Sequence, residues 1–370
     1  MPAHKSERSI IRYAVVGQGY ISQAAVLPAF RHARRTSRLV ALVSGDHAKR
    51  RELGRKYDVA TYSYDEYDTC LASRDVDAVY IALPNSMHRE YTVRAARHGV
   101  HVLCEKPLAV TEAECRAMID ACRKHGVKLM TAYRLHFERA TLKALAGVRD
   151  GVIGEPRLFA SSFTSEVKPP NIRLEQAMGG GTLYDIGIYC INAARHLFGA
   201  EPIEVSCLTT GRAAPGGDVE ESASSTLRFP GDRLATFVAS FNAAKTSEYR
   251  VVGGKGTVRV DPGYELASGL ALYFEVEGKK RTVRYAKRDQ FAPELIHFSD
   301  CILRDRRPEP SGEEGLADVR VIRALYKSAR TGRPVRLEER RQPAKPSLRR
   351  EMTRPPLRMP RLVHATPPGG

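Results

Sequence analysis

The feature that most constrains the fold is a short apolar segment that runs directly into a glycine-rich turn. Residues 11–16 (IRYAVV) are typical of a buried strand, Gly17-Gln18-Gly19-Tyr20-Ile21-Ser22 follows, and a helical pattern continues to about residue 35. In this strand–turn–helix context the first glycine permits the tight turn, and the second lets the backbone approach a pyrophosphate. Ser22 replaces a third glycine and is still small enough for close helix–strand packing. The pattern predicts a dinucleotide site at a helix N-terminus.

Strand and helix patterns continue to alternate after this turn. Helical patterns separate the strands, and a capping-box pair, Thr111 and Glu114, begins one of the helices. This alternation over residues 11–135 predicts a parallel, doubly wound sheet. The further strands are predicted at 39–43, 77–83, 102–106 and 127–132, and the helices at about 46–57, 63–72, 88–99 and 111–125.

The residues after the second strand bear on the choice between NAD and NADP. An acidic residue there would bind the ribose 2′-hydroxyl of NAD, but Ser44 comes first and the cations Lys49 and Arg50 follow. A hydroxyl and two cations suit a 2′-phosphate, so the sequence favours NADP, with NAD possible. Two alternatives stay open. Asp46 could turn inward and accept from a 2′-hydroxyl, and the two cations could simply begin a solvated helix.

Two later strands end at the same edge of the predicted sheet. Asn85 and His88 follow the strand at 77–83 and could touch the nicotinamide ribose or cap the next helix. Val102–Pro107 ends in a glutamate and a lysine, and its proline stops the strand. A lysine at the carboxyl end of a buried parallel strand lies where such sheets open their ligand crevice. The alternative is a surface lysine in a loop.

The pattern changes after about residue 155. A strand at 156–162 and a glycine turn at 177–181 precede a helical pattern at 182–198, on which Asp185 and Tyr189 share one face. That face could instead simply pack under a sheet. Strands without intervening helices then predict a mostly antiparallel sheet, and a last helix is predicted at 312–331. These strands are predicted near 202–211, 222–229, 234–242, 247–252, 256–261, 270–276 and 281–286.

Composition excludes several classes of protein. The first ten residues lack a signal-peptide pattern and no run of eighteen apolar residues occurs, so we expect a cytoplasmic protein that does not span a membrane. Seven cysteines without a CxxC pair suggest neither a disulfide framework nor a zinc site, and no metal is expected. The net charge of +17 comes partly from the segment after Leu337, which holds eight Lys or Arg against three Glu. A basic field attracts phosphorylated cofactors, and specific nucleic-acid binding is not expected because no contiguous cationic face is apparent.

Four motifs in a fixed order point to a known family. The strand–GQGYIS–helix unit, ALPNSMH, CEKP and GGGTLYDIGIY together resemble the Gfo/Idh/MocA oxidoreductase family, and more closely its glucose–fructose oxidoreductase branch. The similarity covers roughly residues 10–336. It implies an N-terminal Rossmann domain and a C-terminal α+β domain with a large, mostly antiparallel open sheet. The predicted ranges are 1–135 for the dinucleotide-binding domain, 136–337 for substrate binding and oligomerisation, and 338–370 for a disordered basic tail rich in Pro and Arg.

The resemblance also implies roles for single residues. Lys106 would be the catalytic lysine, Glu105 would bind the nicotinamide ribose, and the Lys106–Pro107 peptide is expected to be cis. Tyr189 would be the acid/base, since an ammonium within about 4–6 Å favours a phenolate, and Asp185 would hold the lysine or the substrate. The candidate substrate-binding residues are Lys106, Arg134, Arg173, Asp185 and Tyr189. The candidate cofactor-binding residues are Gly17, Gly19, Tyr20, Ile21, Ser44, Gly45, Lys49, Leu83, Asn85, His88, Glu105 and Lys106.

The resemblance implies an NADP-dependent oxidoreductase that transfers a hydride between the nicotinamide and a carbinol carbon of a sugar or polyol, with aldose C1 favoured. The alternatives are a trans-dihydrodiol or D-xylose dehydrogenase and a non-catalytic regulator that senses NADP. The chain has no tryptophan, whereas close relatives often carry one just before the Arg-Leu that is Arg173-Leu174 here, so the identity of their substrate does not carry over to this chain. An exposed apolar sheet face would need a cover, and we expect a homodimer or homotetramer through the C-terminal sheet.

Overall fold

The computed structural model describes residues 10–211, 218–340, 342 and 346–367. Its N-terminal domain is a six-stranded parallel sheet in the order β3-β2-β1-β4-β5-β6, which confirms the predicted doubly wound fold. The central strands are buried almost throughout, as expected for a sheet with helices on both faces. The strands are β1 Ile11–Val16, β2 Ser37–Val43, β3 Ala60–Tyr62, β4 Ala78–Ile81, β5 His101–Glu105 and β6 Leu129–Ala132.

Five helices accompany this sheet, and one of them carries the predicted capping box. The Thr111 hydroxyl accepts from the Glu114 backbone N–H at 3.2 Å, and the Glu114 carboxylate accepts from the Thr111 N–H at 2.9 Å. The helix after the glycine turn begins with a π-helical turn, Ser22–Val26. The α-helices are α1 Leu27–Ala33, α2 His47–Tyr57, α3 Tyr67–Ala72, α4 His88–Arg97 and α5 Glu112–Lys124.

The second domain is built on a nine-stranded sheet in the order β14-β13-β12-β11-β7-β10-β9-β8-β15. Only its central pair, β7 and β10, is parallel, so the sheet is mostly antiparallel as predicted. Along β9 buried and exposed residues alternate, which leaves one face of the sheet open. The strands are β7 Pro156–Thr164, β8 Glu204–Thr210, β9 Ser222–Phe229, β10 Arg233–Ser240, β11 Thr246–Gly253, β12 Gly256–Val260, β13 Leu270–Val276, β14 Lys279–Tyr285 and β15 Val335–Arg336.

Four more helices complete the described structure, α6 Arg139–Arg149, α7 Ile188–Phe198, α8 Ala292–Leu303 and α9 Gly312–Thr331. The predicted last helix, α9, is confirmed, whereas α6, α8 and the short β3 were not predicted. Helices α8 and α9 return to the nucleotide-binding domain, where α8 packs on α1 and α9 packs on α5. The predicted domain boundary at residue 135 assigns α8 and α9 to the second domain, although both helices pack on the first.

The predicted helix at 182–198 consists of two parts. Leu183–Gly187 forms a π-helical turn, and the α-helix proper begins at Ile188. π-Helical turns occur frequently at functional sites because the wider turn redirects side chains. Asp185 therefore lies in the π turn and Tyr189 in the α-helix, rather than on one regular helical face.

The basic tail differs from its prediction. Composition predicted disorder for 338–370. Residues 341, 343–345 and 368–370 lie outside the described residues, but residues 346–367 are described and lie against the rest of the chain. Leu357 and Val363 pack on the apolar cluster beneath the first sheet, and Leu348 packs on that of the second domain. Apolar residues spaced among the prolines supply these contacts, which composition alone does not reveal.

Within the described ranges, none of the helices combines the length and apolar character needed to cross a membrane.

Candidate active site

A crevice of about 1080 Å³ lies between the carboxyl edge of the parallel sheet and the helix that carries Tyr189. Residues following β1, β2, β4, β5 and β6 line one side, and residues of the second domain line the other. This is where ligands bind in open parallel sheets, at the point where the strand order reverses. All predicted site residues except His88 line this crevice.

The glycine turn forms the floor of the crevice beside β4. Gly17 has φ +90°, and an added Cβ would lie 2.4 Å from the carbonyl oxygen of Ala82, so no side chain fits there. A Cβ added to Gly19 would meet nothing within 4 Å, which leaves open space at the start of the following helix. Side chains hold the turn in place: the Ser22 hydroxyl donates to the Gly17 carbonyl at 2.5 Å, and the Gln18 amide donates to Val15 at 2.8 Å.

The end of β2 presents Ser44, Gly45, Asp46 and Lys49 to the crevice. Asp46 caps helix α2 by accepting from the backbone N–H of Lys49 at 3.0 Å. Burial opposes the ionised form of Asp46, but this hydrogen bond and a contact with His364 outweigh it and hold the pKa of Asp46 below its ordinary value. Arg50 donates to the backbone carbonyl of Ser44 at 2.6 Å, and this hydrogen bond stabilises the turn after β2.

His88 does not face the crevice, which corrects its prediction as a cofactor-binding residue. It is fully buried, with Nδ1 2.9 Å from the carbonyl oxygen of Pro107 and Nε2 3.0 Å from that of Leu83. Burial lowers its pKa, and the hydrogen bonds to the carbonyls of Leu83 and Pro107 partly offset this effect. His88 thus ties together the ends of β4 and β5, and a single sequence could not tell this role from a ligand contact. Asn85 does line the crevice, and its amide donates to Gly179 across the domain boundary at 2.8 Å.

Glu105 and Lys106 emerge at the end of β5, and the peptide between Lys106 and Pro107 is cis as expected. The hydroxyl of Tyr80 donates to Glu105 at 2.7 Å and holds this carboxylate at the sheet edge. Burial raises the pKa of Glu105, and the Tyr80 hydrogen bond and the charge of Lys106 partly offset the effect.

The ammonium of Lys106 crosses the crevice to the π turn of the second domain. It donates to the backbone carbonyl of Asp185 at 2.7 Å and lies 3.6 Å from the Asp185 carboxylate. The other carboxylate oxygen of Asp185 accepts from Arg173 at 2.8 Å. Burial opposes the ionised form of Asp185, but Arg173 and Lys106 outweigh it and lower its pKa. Two cations and one carboxylate from three separate segments therefore meet at this point.

Tyr189 faces this charged group from the first turn of α7. The nitrogen of Lys106 lies 4.7 Å from the centre of its ring, and the guanidinium carbon of Arg134 lies 5.2 Å away. Cations at these distances are attracted to the face of an aromatic ring. The rings of Phe163 and Tyr264 pack against the same ring, with 5.6 and 5.8 Å between the ring centres, and help to position it.

Arg134 is buried, and backbone and side-chain acceptors hold it in place. It donates to the carbonyl of Tyr264 at 2.6 Å and to the side chain of Gln290. These hydrogen bonds hold the Arg134 guanidinium beside the Tyr189 ring, on the wall of the crevice. The predicted site residues Lys106, Arg134, Arg173, Asp185 and Tyr189 are therefore brought together.

Several crevice residues were not predicted because they come from loops that carry no motif. The ring of Tyr64 lies against Gly45, where an added Cβ would approach it to 3.1 Å. Lys245 and Glu265 form an ion pair of 2.7 Å on the opposite wall. No local spacing pattern could have identified them, because only the fold brings these loops to the crevice.

The residues present fit a nicotinamide dinucleotide. The open space at Gly19 would accommodate phosphates at a helix N-terminus. Ser44 and Lys49 would lie beside the adenosine ribose, and Glu105 would lie beside the nicotinamide ribose. Across the described residues, no group of three or more His, Cys, Asp or Glu side chains is arranged to hold a metal ion.

Comparisons with known proteins agree with this arrangement. Residues 11–133 match the model of the oxidoreductase family with an NAD-binding Rossmann fold, and residues 141–259 match the GFO/IDH/MocA C-terminal domain. D-xylose 1-dehydrogenase (NADP(+)) of Haloarcula marismortui is 33% identical over 337 residues, which are 89% of this chain and 93% of that protein.

Solved structures extend the likeness. The aldose-aldose oxidoreductase from Caulobacter crescentus, complexed with glycerol, has a TM-score of 0.84 and 41% identity, covering 88% of this chain and 99% of that one. A 3-ketoreductase from Actinomadura kijaniata, in complex with NADP and TDP-benzene, has a TM-score of 0.79 and 27% identity, covering 86% and 97%. With both domain models and near-complete coverage of these proteins, the chain belongs to the Gfo/Idh/MocA oxidoreductase family.

Proposed function

We propose that this protein is an NADP-dependent dehydrogenase that oxidises an aldose at C1. The observation that carries the proposal is the meeting of Lys106, Asp185 and Tyr189 at the end of the crevice where the nicotinamide would lie. An NADP-dependent D-xylose dehydrogenase and an aldose-aldose oxidoreductase among the relatives support the substrate class and the cofactor. A related polyol is the next substrate class to test.

The chemistry follows from the charges around the substrate position. When bound, NADP supplies the hydride acceptor. Lys106 would donate a hydrogen bond to the reacting oxygen and stabilise its developing charge. The phenolate form of Tyr189 would take the hydroxyl proton and become a phenol as the C1 hydrogen leaves as a hydride to the nicotinamide. Asp185, held by Arg173, would orient Lys106, and the guanidinium of Arg134 would help to fix the tyrosine ring.

A panel of aldoses and polyols with NADP or NAD, followed at the nicotinamide absorbance, tests this function. We expect reduction of NADP with D-xylose or D-glucose, and formation of the corresponding lactone. A 1,5-anhydro sugar is the matched control, because it has the same ring hydroxyls but no hydroxyl at C1, and it should not react. Reaction of the anhydro sugar would contradict oxidation at C1, and no reaction with any member would contradict the enzyme proposal.

A regulator that senses NADP without chemistry is the alternative from another class. It predicts NADPH binding with no turnover of any substrate in the panel. The chain carries a full set of chemically active side chains in one crevice, and a sensor does not need them. This favours the enzyme.

We also propose a homodimer or homotetramer formed through the open face of the nine-stranded sheet. Leu158, Leu208, Leu234 and Val238 lie on this face with 39–72% of their surface exposed. Strand pairing places Leu234 beside Leu158, and Ser224 between Leu208 and Val238, so these residues form one patch. Exposed apolar patches of this kind commonly mark an interface between subunits.

Substitution of the patch tests the assembly. Changing Leu208 and Val238 together to glutamate should convert the oligomer into a smaller species, measured by light scattering after gel filtration, because two charges would be buried in the interface. Met359→Glu is a matched control, since Met359 is 59% exposed but lies outside the sheet. An unchanged mass for the Leu208/Val238 variant would contradict this interface.

A cytoplasmic location completes the proposal. All seven cysteines are buried and free in the structure. Unpaired thiols are typical of proteins in a reducing compartment.

A further inference from the structure

The C-terminal segment is tied directly to the helix that follows the glycine turn. The backbone N–H of Val363 donates to the side-chain oxygen of Gln23 at 2.8 Å, and the Gln23 amide donates back to the Val363 carbonyl at 2.8 Å. Gln23 is 1% exposed and also donates to the carbonyl of Gln18 in the glycine turn. The tail therefore has a defined anchor at the dinucleotide motif.

The residue after this anchor contacts Asp46. The Nδ1 atom of His364 lies 2.8 Å from one carboxylate oxygen of Asp46, whose other oxygen accepts from the backbone N–H of Lys49. His364 has φ 44°, a left-handed conformation that residues with a side chain seldom adopt unless contacts hold it. Three residues later, Pro367 lines the crevice together with Ser44 and Lys49.

The contact with His364 changes what Asp46 offers to a nucleotide. A carboxylate at the end of the second strand binds the 2′-hydroxyl of NAD and repels the 2′-phosphate of NADP. Here one oxygen caps a helix and the other is turned toward the tail. The contact thus weakens Asp46 both as an acceptor for a 2′-hydroxyl and as a source of repulsion for a 2′-phosphate.

We propose, resting on the NADP-dependent function above, that residues 363–367 form the outer wall of the 2′-phosphate site and that His364 sets the preference for NADP over NAD through Asp46. His364 is a positioning residue in this arrangement, since it acts on the nucleotide by binding one carboxylate oxygen of Asp46 and turning it toward the tail. This assigns a specificity role to a segment outside both matched domain models.

Equilibrium binding to the full-length protein tests this without any turnover. The dissociation constants of NADPH and NADH are measured from nicotinamide fluorescence. His364→Ala should weaken NADPH binding, strengthen NADH binding and reduce the NADPH preference about five- to tenfold. The reason is that the freed Asp46 carboxylate would repel the 2′-phosphate, and two charges about 4 Å apart in water change an affinity roughly fivefold. Arg358→Ala is the matched control, because it removes an exposed tail charge and should leave the preference unchanged.

A double-variant cycle tests the route through Asp46. Asp46→Asn keeps a good helix cap but removes the charge, and adding His364→Ala to it should cause no further change in preference. The proposal is overturned if His364→Ala leaves the preference unchanged, if it changes both affinities equally, or if its effect persists in the Asp46→Asn protein. A wild-type protein that binds NADH as tightly as NADPH also overturns it. An NADP preference that depends on His364, without turnover of any sugar, supports this inference and contradicts the proposed enzyme function.

Discussion

Replacing Lys106 with methionine is expected to lower kcat for aldose oxidation about 10²–10³-fold, the usual effect of removing one charged donor from a reacting oxygen. Methionine keeps most of the aliphatic length but cannot donate to the substrate or to the carbonyl of Asp185. Arg173 still balances the Asp185 carboxylate, so the fold should survive the change. Initial rates at saturating aldose and NADP give kcat, and nicotinamide fluorescence reports whether NADPH still binds.

Tyr189→Phe is the companion change and should lower kcat about 10²–10⁴-fold, the usual range for loss of a general acid/base. Phenylalanine keeps the ring that Lys106 and Arg134 contact and removes only the hydroxyl. A protein with either change that binds NADPH and turns over at nearly the wild-type rate would show that the assignment of these residues is wrong.

Replacing Arg195 with methionine is expected to cost about 3–5 kcal/mol of folding free energy, as for other buried ion pairs that lose one partner. Arg195 is fully buried and pairs with Glu201 and Glu314 at 2.7 Å each, and also with Asp318. These carboxylates come from the loop after α7 and from α9, so the arginine joins two elements behind the active site. Chemical denaturation should show the loss, and the melting temperature should fall by roughly 10 °C.

The pH dependence gives this prediction a second test. Burial opposes the ionised form of Glu314, but Arg195 outweighs it and holds the pKa of Glu314 well below its ordinary value. A lowered pKa contributes stability above the unfolded pKa of about 4.3 and loses it as the pH falls. The difference between wild type and Arg195→Met should therefore be fully present near neutral pH and shrink as the pH falls below about 4.3.

An exposed arginine provides the control. Arg116 pairs with Glu112 one turn away on a helix surface, and Arg116→Met should cost less than about 1 kcal/mol. Equal losses for the two variants, or a larger loss for Arg116→Met, would contradict the importance assigned to the buried cluster.

Much of the fold could be predicted because its signals are local. Apolar strands buried on both faces and helices between them predicted the first sheet, and alternation predicted a one-sided second sheet. Lys106 could be placed at the sheet edge because Pro107 stops the strand that carries it. Helix α8 was missed because its residues pack against β1, β2 and α1, far away in sequence.

The candidate site was predicted less completely than the fold. Asp185 and Tyr189 were expected on one helical face, but Asp185 lies in a π turn and Tyr189 in the α-helix that follows, and both still line the crevice. His88 looked like a ligand contact, and its two ring nitrogens instead join Leu83 and Pro107. In each case the residue type was informative, whereas its orientation depended on a partner distant in sequence, such as Pro107 for His88, or on a local change in helix pitch.

The sequence by itself determined the chain's two-part architecture, the position of the nucleotide turn and the place of Lys106 at a strand end, because periodicity, glycine and proline act over a few residues. The pairing of Lys106 with Tyr189 was implied by the family resemblance. Only the tertiary structure decided that Arg195 joins α7 to α9, that Arg134 lies beside Tyr189, and that the basic tail closes on Asp46. Those contacts join segments up to 318 residues apart. Their formation depends on which surfaces the folded domains bring together, and the order of the amino acids does not display that directly.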